Sequence, residues 1–331
     1  MKKDFNGIKK IEVCITSKCN LNCKHCYQHF EKNKYIISFE KIKEIIEYAN
    51  KSKSEHIVLS GGEFFTHPNS YDIIKEVTKY DIPLTIVTNG TLIDTERIKQ
   101  FIGKNITFQI SIDGTEDYHD SRRGIGNYAK TVDTIKKIRN MGFKVNIYMT
   151  IDNNNYITIP EVLNNNFYDS VTFMPVAIAG AATINSFDES KELDDCIETI
   201  YKMVSTPSDI CHRCNIFPKG ISINYEGFVF PCSIARDYKL FPLGNINDDS
   251  LENIITNFVN SDKSNLFFEY KSNSQIEKCS KCSKNKECNQ GCRMRAFKFN
   301  GNMLSHDPFC CKIYNNEYKK IGYGHLYWGD K

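Results

Sequence analysis

Three cysteines near the amino terminus have a spacing that suits metal binding. Cys19, Cys23 and Cys26 form a C-x3-C-x2-C triplet within the stretch CITSKCNLNCKHCYQHF. Three thiolates can hold three corners of a four-iron cluster, which is ordinarily held by four cysteines. One iron would then keep an open position for a ligand or a substrate. Zinc is the competing metal, and His25 or His29 could complete a zinc site.

Alternating strand and helix patterns surround this triplet from residue 8 to about residue 175. Helical patterns separate six β-rich runs. These runs are IEVCIT, HIVLS, PLTIVTNG, ITFQISIDG, KVNIYMTI and SVTFMP. We expect helices over residues 38–50, 69–80, 94–102, 127–141, 156–165 and 188–204. Ser38 is the expected N-cap of the first helix. Six β/α units predict an α/β fold with a parallel sheet, a partial (β/α)6 barrel that falls short of the closed eight-unit barrel.

Four short motifs stand where the first four strands end. TSKCNLNCKHC follows the first strand, SGGEFF the second and TNG the third, and SIDG ends the fourth. In parallel α/β sheets the functional site lies at the carboxyl ends of the strands. The four motifs are therefore predicted to meet at one edge of the sheet.

The cysteine triplet after the first strand of a β/α barrel resembles the signature of the radical S-adenosylmethionine (SAM) enzymes. In that superfamily the amino and carboxylate groups of SAM chelate the open iron. The reduced cluster then cleaves SAM to a 5′-deoxyadenosyl radical that abstracts hydrogen from carbon. The resemblance implies a SAM-binding [4Fe–4S] cluster held by Cys19, Cys23 and Cys26.

The later motifs extend the same resemblance. His25 stands where the family usually places an aromatic residue against adenine, and GGE matches the motif that meets the SAM amino group. Phe64 replaces the proline that usually follows that motif. HDSRRG resembles a segment whose arginine reaches the SAM carboxylate; Arg123 fits that role, with Arg122 as the alternative. The residues that the resemblance assigns to SAM are His25, Gly61, Gly62, Glu63, Asn89, Ser111, Asp113 and Arg123.

A second group of cysteines occupies the carboxyl-terminal part, in CHRCNIFPKGISINYEGFVFPC, CSKCSKNKECNQGC and a final CC pair. By spacing alone, Cys279, Cys282, Cys288 and Cys292 could form a closed zinc ribbon. The complete spacing, with LGNI at 243–246, resembles the SPASM domain, a cluster-binding extension of many radical SAM enzymes.

The SPASM resemblance implies two auxiliary [4Fe–4S] clusters, and therefore three clusters in the chain. The ligands implied for the outer cluster are Cys279, Cys282, Cys288 and Cys310. The ligands implied for the inner cluster are Cys232 and Cys292, with Cys211 and Cys214 upstream. One or both upstream cysteines could bind, and Cys311 could replace Cys310.

Two domains are expected, a partial barrel over residues 1–205 and a cluster-binding domain with a tail over residues 206–331. Metal rather than a large core is the expected support of the second domain. Three cysteines have no assigned cluster: Cys14, Cys196 and Cys311. Cys14 on the first strand and Cys196 on a predicted helix are expected to be small buried packing residues, and the alternative for Cys196 is a hydrogen-atom donor in an epimerase.

Composition excludes several classes of protein. The 331 residues are 40% hydrophobic and 25% charged, which is typical of a globular chain. The 43 basic and 40 acidic residues give a net charge of +3, too balanced to indicate nucleic acid or an anionic membrane as partner. No signal peptide and no membrane-spanning run is present in the sequence. Clustered cysteines indicate metal ligands rather than disulfides where the compartment is reducing. We therefore expect a cytoplasmic protein.

The sequence predicts a radical SAM oxidoreductase that modifies a ribosomally synthesised peptide or protein, through a thioether, a carbon–carbon cross-link or related C–H chemistry. That substrate class rests on analogy within the family. Ser233 stands where anaerobic sulfatase maturases carry an aspartate base, which disfavours sulfatase maturation. Alternatives are a small-molecule enzyme for a sugar, an aminoglycoside or a haem precursor, and a zinc or electron-transfer protein.

The expected partners are the peptide or protein substrate and an external electron donor of the flavodoxin or ferredoxin type. The first strand begins near residue 9, so we expect this chain to lack the leader-binding domain that many peptide-modifying relatives carry before it. A separate leader-binding protein is therefore an optional further partner.

Overall fold

Ten strands form one sheet, most of which is parallel. The computed structural model describes residues 5–26, 33–151, 154–175, 216–269, 276–281, 291–306 and 326–328. The strands are β1 (Lys10–Cys14), β2 (His56–Ser60), β3 (Leu84–Thr88), β4 (Ile106–Ser111), β5 (Lys144–Ile151), β6 (Ser170–Pro175), β7 (Gly220–Ile223), β8 (Phe228–Phe230), β9 (Gly244–Asn245) and β10 (Leu326–Trp328). Their order across the sheet is β10-β6-β5-β4-β3-β2-β1-β7-β8-β9. Strands β1 to β6 run parallel, which confirms the predicted α/β fold.

The strands beyond the predicted six extend this sheet at both edges. Strand β7 lies parallel beside β1, and β8 and β9 continue from it as antiparallel neighbours. Strand β10 pairs antiparallel with β6 at the opposite edge. The carboxyl-terminal part of the chain therefore shares the sheet that carries the cysteine triplet.

Helices connect the parallel strands, and further helices follow β8. They are α1 (Phe39–Lys51), α2 (Ser70–Val77), α3 (Thr95–Ile98), α4 (Glu116–Arg123), α5 (Asn127–Asn140), α6 (Ile159–Asn164), α7 (Ser233–Asp237), α8 (Leu251–Asn260), α9 (Asn265–Glu269), α10 (Glu277–Ser280) and α11 (Arg293–Asn300). The predicted helices up to residue 165 are confirmed to within a few residues, whereas the one over 188–204 lies outside the described residues. Within the described ranges, none of the helices is both long and apolar enough to cross a bilayer.

Helix α1 shows how local sequence sets these elements. Ser38 is extended and its side chain accepts a hydrogen bond from the Lys41 backbone N–H at 3.3 Å, which confirms the predicted N-cap. The buried side chains recur at helical spacing and form one face: Ile42, Ile45, Ile46 and Ala49.

Strand residues alternate between two chemically different faces of the sheet. One face is apolar and, with the helices, forms the core. Its strand residues include Ile11, Val13, Ile57, Leu59, Leu84, Ile86, Ile106, Phe108, Ile110, Val145, Ile147, Met149 and Val171. Burying this face is the main stabilising contribution of the sheet, at roughly 25 cal/mol per Å² of apolar surface.

The opposite face, which we call the inner face, is largely polar. Strand register places its side chains next to one another across the sheet. They include Glu12, Cys14, His56, Ser60, Thr85, Thr107, Gln109, Ser111, Asn146, Tyr148, Thr150, Ser170, Thr172 and Ser222. Parallel sheets covered by helices on both faces are usually apolar on both. The polar inner face therefore indicates a surface kept for solvent or a ligand.

An aromatic cluster supports the part of the chain after residue 216. Phe217 is fully buried, with edge-to-face contacts to Phe258, Phe267 and Phe268 at 5.1–6.0 Å between ring centroids. Phe5, from the amino terminus, stacks on the same ring at 6.1 Å. Aromatic packing therefore contributes to a region for which the cysteines predict metal as the main support.

Truncating a core residue at the centre of the sheet tests this packing. Phe108 is fully buried and meets Phe143 edge to face at 5.4 Å. We expect Phe108→Ala to lower the free energy of unfolding by about 3–5 kcal/mol, because it removes apolar burial and leaves a cavity. Urea unfolding of the metal-free protein measures the change. The matched control is Ile102→Ala at a half-exposed position, and an equal loss in both variants would contradict the assigned core.

Candidate functional site

The loop that carries the cysteine triplet leaves β1 and is held by its own return segment. Ser17 donates its backbone N–H to the Tyr35 carbonyl at 2.9 Å, and its hydroxyl accepts from the backbone N–H groups of Lys34 and Tyr35. Cys19 donates its backbone N–H to the Asn33 side chain at 3.3 Å. The base of the loop is therefore fixed before any metal binds.

The three thiols lie on this one loop in partly buried positions. Burial raises the pKa of the Cys19 thiol to about 11, and the Glu63 carboxylate and the other two thiols add to the effect. A bound metal cation reverses this shift, since coordinating thiols are deprotonated.

Two glycines after β2 let its end run directly against the cysteine loop. Gly62 donates its backbone N–H to the Thr16 carbonyl at 2.7 Å. A Cβ atom on Gly61 would lie 2.5 Å from the Thr16 carbonyl oxygen, and one on Gly62 would lie 2.7 Å from that of Ser17. Only glycine fits this close backbone approach.

Glu63 joins the ends of two strands to the same loop. Its backbone N–H bonds the Lys18 carbonyl at 2.7 Å. Its carboxylate accepts from the Thr88 hydroxyl at 2.6 Å, from the Asn89 backbone N–H at 2.7 Å and from the Phe65 backbone N–H at 3.1 Å. Burial raises the pKa of Glu63, while these hydrogen bonds oppose the rise.

Asn89 ties the third strand end to the cysteine loop through a residue that sequence reasoning missed. Its side-chain N–H donates to Asn20 Oδ1 at 2.9 Å, and its Oδ1 accepts from Thr91. Asn20 in turn donates to the Thr91 hydroxyl at 2.8 Å. Asn20 lies between two cysteines of the triplet. The sequence could indicate its role only by placing a polar residue in a predicted metal-binding loop.

Asp113 follows β4 and forms the charged centre of the site. It is fully buried; its Oδ2 accepts from Arg123 Nε at 2.6 Å and its Oδ1 from the Thr150 backbone N–H at 2.9 Å. Burial alone would raise the pKa of Asp113. The guanidinium groups of Arg123 and Arg122 overcome this and hold its pKa well below the ordinary range.

Arg123 links this carboxylate to the cysteine loop. Its Nη2 lies 3.3 Å from His25 Nε2, and the Cys23 and Cys19 thiols are near enough to influence it. Burial would lower the pKa of Arg123, but Asp113 and the thiols raise it further above its ordinary value. The neighbouring Arg122 instead donates to the Thr150 carbonyl at 2.8 Å.

His25 is neutral in this environment. Burial, together with Arg123 and Arg122, lowers its pKa to about 3, although Asp113 opposes the shift. Because Arg123 donates to Nε2, the ring proton belongs on Nδ1. The buried Nδ1 has no hydrogen-bond partner among the described residues.

The structure thus brings most of the predicted SAM residues into one hydrogen-bonded and charged neighbourhood at the strand ends. Ser111, the last residue of β4, lies on the inner face beside Tyr148. The roles of the predicted SAM residues toward SAM stay a prediction.

The auxiliary-cluster cysteines are described only in part. Cys232 is the N-cap of α7, Cys292 is the N-cap of α11, and the two helices contact each other. Cys279 is buried within α10. The other predicted ligands lie outside the described residues: Cys211, Cys214, Cys282, Cys288 and Cys310. Cys196 and Cys311 lie outside them as well.

Cys14 is buried, as predicted, but its neighbours are polar. Its Sγ lies 3.2 Å from the Ser60 hydroxyl and 3.1 Å from Arg236 Nη1. It faces the inner side of the sheet, so it is not part of the apolar core.

The described residues fit an iron–sulfur site with a bound ligand. Three thiols on one anchored loop are the donor set that such a cluster needs, although no group of three or more potential ligands in the described ranges is already arranged around a metal position. The close contacts of Gly61 and Gly62 leave no room for side chains between β2 and the cysteine loop. His25 Nδ1, which has no hydrogen-bond partner among the described residues, offers a donor to a ligand.

Two family models match this chain. A family model described as the radical SAM superfamily matches residues 13–165, and a second, SPASM, described as an iron–sulfur cluster-binding domain, matches residues 211–283. The second match begins at Cys211 and includes Cys232, Cys279 and Cys282.

Three known proteins show the range of similarity. An AdoMet-dependent heme synthase of Methanosarcina barkeri is 25% identical, over 92% of this chain and 97% of that protein. The antilisterial bacteriocin subtilosin biosynthesis protein AlbA of Bacillus subtilis is 26% identical, over 72% of this chain and 58% of that protein. A crystal structure of Streptococcus suis SuiB bound to precursor peptide SuiA has a TM-score of 0.72 at 15% identity, covering 93% of this chain and 76% of that chain. This chain therefore carries a radical SAM domain over residues 13–165 and a SPASM iron–sulfur cluster-binding domain over residues 211–283.

Proposed function

We propose that this protein is a radical SAM enzyme that oxidatively modifies a peptide or protein. A [4Fe–4S] cluster with SAM bound supplies a 5′-deoxyadenosyl radical for hydrogen abstraction from carbon. Cys19, Cys23 and Cys26 would hold that cluster, and auxiliary clusters would be held by the SPASM cysteines. The chain's own contribution is to bind and orient the ligands and to keep water from the reacting carbon.

Glu63 and Arg123 divide the recognition of SAM between them. The Glu63 carboxylate accepts hydrogen bonds from neutral donors, so it suits the SAM ammonium group. Arg123 shares its charge with Asp113 but presents Nη2 toward His25, so it suits the SAM carboxylate. His25 would contact the nucleoside part. A ligand that carries both an ammonium and a carboxylate is complementary to this pair.

The observation that carries the peptide assignment is the polar inner face. Its amides and hydroxyls bond one another, as in Asn146 Nδ2 to Ser170 Oγ at 2.8 Å and Thr172 Oγ1 to Asn146 Oδ1 at 3.2 Å. A peptide offers many backbone donors and acceptors that can exchange with such groups. The similarity to AlbA, a bacteriocin biosynthesis protein, also supports a peptide substrate.

A haem precursor is the second candidate substrate. The similarity to the AdoMet-dependent heme synthase extends over nearly the whole of both chains, which favours this class. A tetrapyrrole would need an apolar, aromatic-lined surface for its ring. The described strand residues of the inner face are mostly polar, so the peptide is the better fit.

A deuterium-transfer experiment separates the two candidates. We expect deuterium to move into 5′-deoxyadenosine from a deuterated peptide library built from short reading frames beside the gene. Mass spectrometry of the nucleoside measures the transfer, and a deuterated iron porphyrin with its propionate side chains labelled is the comparison substrate. Transfer from the porphyrin alone would replace the peptide proposal with the second candidate.

Removal of the triplet cysteines tests the cluster assignment. We expect about twelve iron atoms per reconstituted chain, from three four-iron clusters, and about eight in the Cys19→Ala, Cys23→Ala, Cys26→Ala variant. SAM cleavage should be lost in that variant, because no cluster remains to bind SAM. Iron analysis and 5′-deoxyadenosine assays measure both. Cleavage at the wild-type rate, or zinc without iron in the wild type, would refute the assignment.

Substitution of Glu63 tests its role toward SAM. Glu63→Gln keeps the shape but removes the charge and directs an NH2 group at one of the donors that the carboxylate accepts from. Loss of a charge-assisted hydrogen bond is worth roughly 1.5–3 kcal/mol, so SAM affinity should fall roughly tenfold or more while the iron content stays unchanged. Anaerobic calorimetric titration with SAM measures affinity. Glu44→Gln on the exposed face of α1 is the control, and equal affinities in the two variants would contradict the role.

A further inference from the structure

A buried ion network on the inner face is not used by the SAM site. It joins β1 and β7 to α7, the short helix that begins at Cys232. Arg236 is its centre: Nη1 lies 2.7 Å from Glu12 Oε1, 3.1 Å from Cys14 Sγ and 3.1 Å from Ser222 Oγ. One guanidinium group therefore connects three separate elements.

A second carboxylate completes the network. Arg236 Nε lies 2.9 Å and Nη2 lies 2.8 Å from Asp237 Oδ1. The Arg236 side chain is only 9% exposed, and that of Glu12 is 19% exposed. Burial raises the pKa of Tyr148 on β5, and the charges of Glu12 and Asp237 add to this effect. The network therefore lies inside the fold.

Helix α7 cannot set its own orientation. It spans only Ser233–Asp237, and helices this short are not stable alone in water. At its amino end the Cys232 Sγ accepts from the Ala235 backbone N–H at 3.4 Å, and the Cys232 carbonyl accepts from that of Arg236 at 3.0 Å. The thiol that is predicted to bind a cluster is thus also the cap of this helix.

An arginine at position 236 indicates a role in positioning α7 rather than a contribution to the free energy of unfolding. A buried ion pair can often be replaced by apolar residues without loss of stability, so it is weak evidence of a stabilising role. A guanidinium bonds partners in several fixed directions at once, which a lysine ammonium cannot reproduce. Arg236 therefore fixes how α7 is placed against β1, the strand that leads into the Cys19 loop.

We propose that Arg236 is a positioning residue that holds α7, and with it Cys232, in a fixed place relative to β1. The inference rests on the proposed function, in which Cys232 is a ligand of the inner auxiliary cluster. If α7 rotates, the Cys232 sulfur moves and its hydrogen bond from Ala235 is weakened. Hydrogen bonds to cluster sulfurs set reduction potentials, and partners behind metal ligands set affinity.

Two variants and one control test this role. Arg236→Lys keeps the charge but loses the forked geometry. The double variant Glu12→Gln, Arg236→Met removes one anion with the cation, so that less uncompensated charge stays buried. The control is Arg139→Met, which breaks a partly exposed arginine–aspartate pair with Asp169 on the helical side of the fold. All are made in the Cys19→Ala, Cys23→Ala, Cys26→Ala background, where the remaining iron belongs to the auxiliary sites.

The readouts are the electron paramagnetic resonance spectrum of the reduced auxiliary clusters and their resistance to an iron chelator. We expect a changed spectrum and roughly tenfold or greater loss of chelator resistance in both Arg236 variants, and neither change in the control. An unchanged spectrum with unchanged chelator resistance would overturn the proposal. If circular dichroism shows that the double variant is unfolded, the Arg236→Lys result alone decides.

These readouts need neither SAM nor a substrate, so they are independent of the reaction. Failure of the proposed function would appear as a wild-type protein that does not cleave SAM or does not transfer deuterium. Failure of the present inference would appear as normal auxiliary clusters in the Arg236 variants. The two outcomes are therefore distinguishable.

Discussion

A carboxylate with almost no access to water must find its hydrogen-bond donors inside the protein, and Glu63 imposes this constraint on the whole site. It finds them in its own turn and at the end of β3, in the Thr88 hydroxyl and the Asn89 N–H. Its own N–H is bonded to the cysteine loop at the Lys18 carbonyl. Displacing the end of β3 would remove two of the donors of this buried carboxylate, and displacing the loop would break the bond of the Glu63 backbone N–H. The strand ends and the loop therefore keep one arrangement before a cluster or a ligand is bound.

Asp113 meets the same constraint in a different way, and the difference divides the site electrostatically. Its partners are guanidinium groups, which hold its pKa low, whereas Glu63 has neutral donors and a raised pKa. Positive charge is thus concentrated at the end of β4, near Arg123, and negative charge at the end of β2. Both places adjoin the cysteine loop. Under the proposed function, this division orients SAM through its two charged groups.

Local sequence predicts the first six strands and most helices because β-branched runs and caps such as Ser38 act over a few residues. Helix α4 is not predicted, because its EDYHDSRR sequence has no apolar period; tertiary contacts of Arg122 and Arg123 hold it instead. Contacts between distant residues are equally hidden, as in the pairing of β7 with β1 and the bond between Asn20 and Asn89. The types of the site residues were predictable, whereas their partners depended on the fold.

The inner face combines two kinds of polar surface that respond differently to a substrate. Around β5 and β6, neutral groups such as Asn146 and Ser170 bond one another, and exchanging one such bond for a bond to a substrate costs at most about 1 kcal/mol. Around β1, the Arg236 network holds charges whose separation would cost roughly 3–5 kcal/mol. A substrate can therefore rearrange the first region but not the second. Recognition of the substrate is expected on the β4–β6 side of the inner face. The Arg236 network on the β1 side keeps β1 and α7 in place.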